Sequence, residues 1–160
     1  MTISFAAFAA TVFTAAATVT GCANSGPPNV QVVDLAVSAN TSEVSAAYGT
    51  LVNSGGGADT LLAVRCDCSD VVTMHHSERA DGRSRMLAAD RIDVPAGKQI
   101  ALVPAGSHLM LEQLNDELVA GDTVELTFEF ERSDEISYDV PVVEPAELVD
   151  RVEPRTDEGT

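Results

Sequence analysis

Between Val30 and Val143 apolar and polar residues alternate in short runs, the period-2 signature of strands with one face on a core. Thr123 to Glu131 is the clearest case: Val124, Leu126, Phe128 and Phe130 share one face, opposite Glu125, Thr127, Glu129 and Glu131. Val30–Val37, Ser45–Val52, Thr60–Arg65, Val71–His76, Met86–Ala88, Gln99–Val103, the stretch around His108–Met110 and Ile136–Val143 read as further strands. Ser54-Gly55-Gly56-Gly57 and Asp93–Lys98 read as turns between them. Glu112 to Leu118 reads as a short helical turn, and no segment has the pattern of a long amphipathic helix. About eight short strands punctuated by Gly, Pro and Asp predict an all-β sandwich or Greek-key barrel.

The flanks break the alternation. Residues 1–21 carry no charged side chain and read as a signal peptide of lipoprotein type, because Val19-Thr20-Gly21-Cys22 resembles a bacterial lipobox. The segment lacks the Lys or Arg that usually opens such a signal, and an ordinary cleaved signal with an incidental Cys22 is the alternative. Residues 22–29, with Ser25-Gly26-Pro27-Pro28, read as a flexible tether. Residues 30–143 form the expected domain, and 144–160, rich in Pro, Glu, Asp and Arg, read as a disordered acidic tail.

The 160 residues suit one domain with a real core. Trp is absent and aromatics make up 4%, so aliphatic side chains must fill that core. A formal net charge of −16 argues against nucleic acid as a partner and against charge-driven binding to anionic lipid. Nucleophile elbows, phosphate loops and paired-carboxylate signatures are absent, and we expect no enzyme.

The chemistry is concentrated in one stretch. Of 3 His and 4 Met, all but the initiator Met lie between Met74 and Met110. Imidazole nitrogen and thioether sulfur are both neutral, rather soft donors, so their clustering points to a metal. Ten residues separate His75 from Met86, twenty-one separate Met86 from His108, and one separates His108 from Met110. On strands, His108 and Met110 share a face, with Leu109 and Leu111 inward; His75 shares its face with Thr73, with Val72 and Met74 inward. The pattern therefore allows one outward cluster of two imidazoles and two thioethers, from His75, Met86, His108 and Met110, with His76 a possible auxiliary. Thioethers favour Cu(I) over Zn(II), Ca(II) or Mg(II), and they neither titrate nor oxidise to disulfides. An electron-transfer cupredoxin would need a Cys thiolate in the set. Cys66 and Cys68 leave three readings open: a disulfide helped by a bend near Ser69-Asp70, a free thiol pair, or a second Cu(I) site.

These four positions, at these separations, resemble the signature of the PCuAC family, small exported copper-binding proteins. Ala46–Asn53, Ala58–Leu62, Val94–Gly97, Pro104–Leu111 and Gly121-Asp122 are similar to other landmarks of that family, and the resemblance covers about residues 30–143. It implies a cupredoxin-like β-barrel. It also implies a copper chaperone holding Cu(I) at His75, Met86, His108 and Met110 and delivering it to the copper centre of cytochrome oxidase, sometimes alongside a thiol-bearing assembly factor. The location implied is periplasmic, with a membrane anchor through Cys22. A copper-sequestering or tolerance protein without a dedicated acceptor is the alternative, followed by an electron-transfer cupredoxin.

Overall fold

A computed structural model describes residues 26–40, 42–80, 83–104 and 106–152. The described chain forms ten strands and one short helix: β1 (Val30–Ser38), β2 (Val44–Asn53), β3 (Asp59–Cys66), β4 (Ser69–Ala80), β5 (Arg83–Ala89), β6 (Ile92–Val94), β7 (Gln99–Leu102), β8 (Ser107–Leu114), β9 (Thr123–Phe130), β10 (Ile136–Val143) and α1 (Pro145–Val152). Strands β4, β8, β2, β1, β10, β9 and β3 follow one another round a barrel, with β7 inserted between β8 and β2 at one end. Closure comes where β3 meets β4 again, at Cys66 opposite Ser69. Strand β5 continues outward from β4, and β6 is added beside β3. Closing the sheet leaves few free edges, the usual all-β solution to unpaired backbone groups.

Alternation builds the core as expected. Leu126 and Phe128 of β9, Leu109 and Leu111 of β8, Leu51 of β2 and Leu61 of β3 are fully buried. Two buried polar residues fasten the loops to this core. The Nδ2 of Asn53 donates to the carbonyls of Gly57 and Val94, and its Oδ1 accepts from the amides of Asn29 and Gly55. Asp59 accepts from the amides of Thr60, Arg132 and Ser133 and from the Ser133 hydroxyl. Burial would raise its carboxyl pKa, but these bonds outweigh burial and hold it below the usual value. Gly55 sits so close to the backbone of Pro27, Pro28 and Asn29 that a Cβ would collide with it.

Four sequence expectations need correcting. Glu112–Leu114 is strand, not helical turn: β8 finds β4 on one side and β2 on the other, and ladder bonds win over a local turn. The expected turn at Asp93–Lys98 begins inside β6, which pairs Asp93 and Val94 with Thr60 and Asp59. The acidic tail does not lose structure at Glu144. Pro145 opens α1, where a missing amide costs nothing, and Leu148 is buried with Ala36 and Val143 against Tyr48. Lastly, the turn between the cysteines falls at Asp67-Cys68, not at Ser69-Asp70. There the Cys66–Cys68 disulfide forms across a Cα separation of 5.1 Å, short of the separation of about 6.5–7 Å that an extended strand would impose. Residues 1–21 and the lipobox-like segment lie outside the described residues.

Candidate metal centre

Strand register carries all four candidate ligands to one face. His75 on β4 stands directly opposite His108 on β8. Thr73, two residues before His75, stands opposite Met110. Ser77, two residues after His75, stands opposite Met86 on β5. Because cross-strand partners share a face and the period is 2, His75, Met86, His108 and Met110 project from the same side of β5-β4-β8. The imidazoles of His75 and His108 stack, with centroids 5.7 Å apart.

Their exposure is graded. His108 is 4% exposed and Met86 53%, while His75 and Met110 lie between. The sequence puts His108 outward from the barrel core, and it does leave that core. It is nonetheless buried, because Tyr48 of β2 lies beside it with ring centroids 6.4 Å apart. Met86, His108 and Met110 line a hollow of about 270 Å³ with Tyr48, Ala46 and Asn40. Burial raises the pKa of Tyr48, so the neutral phenol is the form beside the site.

The hydrogen bonds of the two imidazoles leave one free lone pair on each. His108 Nδ1 lies 3.2 Å from the Gly106 carbonyl, which can only accept; that nitrogen therefore holds the proton and Nε2 keeps its lone pair. His75 Nε2 lies 2.9 Å from Thr73 Oγ1. His75 Nδ1 is buried and has no hydrogen-bond partner among the described residues. A buried polar atom left unpaired costs free energy unless something else satisfies it. With two thioethers alongside, the face offers neutral, soft donors, a set suited to a monovalent soft ion.

Other candidates fall elsewhere. Met74 is 7% exposed in the core, as alternation predicts. His76 lies on the opposite face from His75, paired with Ser107 and Leu87, and its Nδ1 is 3.3 Å from Ser107 Oγ. Cys66, Asp67 and Cys68 bring potential ligand atoms within 4.8 Å of one another, but both sulfurs are spent in the disulfide and no thiolate remains. Sequence reasoning missed Tyr48 and Glu112. Tyr48 reaches the site only through register with another strand; Glu112 continues the His108-x-Met110 period on β8 and was missed because Glu112–Leu118 reads as a helical turn.

A cupredoxin-like barrel carrying a His/Met face is the class that fold and geometry define. The chain belongs to the LpqE-like family, described as "Putative lipoprotein LpqE-like", whose profile matches residues 29–142. A relative from Leifsonia xyli subsp. xyli, named "Putative lipoprotein Lxx21020", is 31% identical over 114 residues, 71% of this chain and 69% of that protein. Among solved structures, the copper-bound PCuAC domain from PmoF2 superposes with a TM-score of 0.62 at 23% identity, covering 72% of this chain and 93% of that one. The apo PCuAC domain from PmoF1 gives 0.63 at 23% identity, with 72% and 94% covered. Apo-DR1885 from Deinococcus radiodurans gives 0.51 at 23% identity, with 92% and 99% covered. At that identity the likeness carries the fold, and the PCuAC resemblance read from the sequence holds at that level.

Proposed function

We propose that this protein is an exported copper chaperone that carries Cu(I) at His75, Met86, His108 and Met110 and passes it to an acceptor protein by ligand exchange. The observation that carries this reading is the shared face: three strands supply two imidazoles with free lone pairs and two thioethers, with no thiolate among them. A solved neighbour of the same fold is a copper-bound PCuAC domain, which supports copper as the cargo. Graded exposure suits hand-over. An incoming acceptor meets Met86 at the rim first, replaces that thioether, and then works inward towards the buried His108. The protein's part is carriage, not catalysis. The acceptor we favour is the copper centre of cytochrome oxidase, which the PCuAC resemblance implies. Cys22 would hold the domain to the membrane as a lipid anchor, consistent with a family described as lipoproteins.

Titration with Cu(I) against a competing chelator should give one equivalent per chain. Mixing the loaded protein with the copper-free soluble domain of an oxidase copper subunit should then move that equivalent to the oxidase domain. Retention of copper by the carrier at equal concentrations would favour sequestration over delivery.

A further inference from the structure

The tautomer of His75 is set by residues outside the ligand set. Thr73 Oγ1 lies 2.7 Å from Glu112 Oε1 and 2.9 Å from His75 Nε2. A threonine hydroxyl has one proton to give, and an ionised carboxylate can only accept. The proton therefore goes to Glu112, and Thr73 must accept from His75. That requires a proton on Nε2 and leaves Nδ1 bare, which is the buried nitrogen that has no partner among the described residues. Both features follow from one orientation of the His75 ring, with Nε2 turned to Thr73 and Nδ1 left for another partner.

We propose that Thr73 and Glu112 are positioning residues that make Nδ1 the metal-binding atom of His75. This rests on the copper reading above and deepens it. The chain Glu112–Thr73–His75 acts as outer-shell carboxylates do towards metal-ligating imidazoles: it fixes the ring's orientation and raises the basicity of the free nitrogen. Register supplies the geometry, since Thr73 and His75 share a face of β4 and Glu112 shares the matching face of β8 with Met110 and His108. The two histidines then differ in the atom they offer, Nδ1 from His75 and Nε2 from His108. Glu112 also places a negative charge one hydroxyl away from a site of neutral donors, where it offsets the charge of a monovalent ion without ligating it.

The test combines a structural and a binding readout on copper-free protein and four variants. Long-range proton–nitrogen NMR at a pH where the imidazoles are neutral reports which nitrogen of each ring is protonated. Wild-type His75 should show a protonated Nε2 and a bare Nδ1. Thr73→Val, which keeps shape and loses the hydroxyl, should yield a mixture of tautomers and bind Cu(I) about 10-fold or more weakly. Thr73→Ser should restore both. Glu112→Ala should move the His75 proton towards Nδ1, because the Thr73 hydroxyl is then free to donate to Nε2. Unfolding midpoints of the copper-free variants should stay close to wild type. Wild-type His75 protonated on Nδ1 overturns the assignment. So does a Thr73→Val protein that binds as tightly as wild type while His75→Ala does not. Unchanged Cu(I) affinity in His75→Ala removes the donor role by a different route, through failure of the copper reading; the predicted tautomer in copper-free protein would then still be seen.

Discussion

Met110 is the residue at which a ligand and a packing role make opposite predictions. Leucine matches methionine in volume and apolarity, so Met110→Leu should cost less than about 1.5 kcal/mol in folding while removing a thioether that leucine cannot replace. Copper-free unfolding and Cu(I) competition on one preparation separate the two roles. Asp59 makes a prediction about pH. Its folded carboxyl titrates below the unfolded value of about 3.9, so its stabilisation is complete above that value and fades as pH falls through the folded one. Asp59→Asn should cost about 1–3 kcal/mol at neutral pH by mismatching buried amide donors, and denaturant midpoints should show that gap closing below pH about 4. At this scale the candidate ligands were legible as one cluster because His and Met are scarce, and strand register brings them to one face. Thr73 was visible as a face-mate of His75. Its hydrogen bond to Glu112 was not, because 39 residues separate the two and only β4–β8 register brings them together.

Among the elements, β4 and β8 matter most to the candidate site, and no pattern along the chain marks them as neighbours or sets their register. Alternation located both strands. It undercounted β4, which runs on beyond His76 because β5 pairs with it residue by residue as far as Ala80 opposite Arg83. The helix α1 escaped notice because Leu148, the buried side chain among its described ones, leaves too faint a trace in an acidic stretch. Its packing on Tyr48, itself beside His108, links the end of the described chain to the site. Leu148→Ala should destabilise the fold by about 2–3 kcal/mol, measured by denaturant unfolding, at the low end for buried leucines because the cluster is small. The β3–β4 turn gives a further prediction. Replacing Cys66 and Cys68 together with serine should leave Cu(I) stoichiometry unchanged, because no thiol belongs to the His/Met face. The loop closed is so short that chain entropy assigns the disulfide only about 1.5 kcal/mol. Loss of the bound equivalent in that variant would move the site to the cysteines.

The whole chain carries a formal net charge of −16, and the barrel's strands show acidic outer faces, with Glu125, Glu129 and Glu131 of the β9 region all exposed. That is the pattern of a solvated surface, and the site itself uses neutral donors. Fold class was legible because closure of a small all-β chain follows from many short alternating strands, whatever their order. Anchoring belongs to this scale too. Mass spectrometry of the mature N-terminus should find a lipidated Cys22; an intact Met1, or an unmodified residue beyond Cys22, would remove the anchor from the account.

The central claim is that four side chains on one face hold copper together while contributing little to the barrel's stability. The most direct measurement is a Cu(I) competition titration of His75→Ala, Met86→Leu and Met110→Leu, paired with thermal unfolding of the copper-free proteins and with His76→Ala as the control. The account predicts weaker Cu(I) binding in the first three, near-wild-type affinity in His76→Ala, and cooperative unfolding in all four. Wild-type copper affinity in His75→Ala, Met86→Leu and Met110→Leu would contradict it.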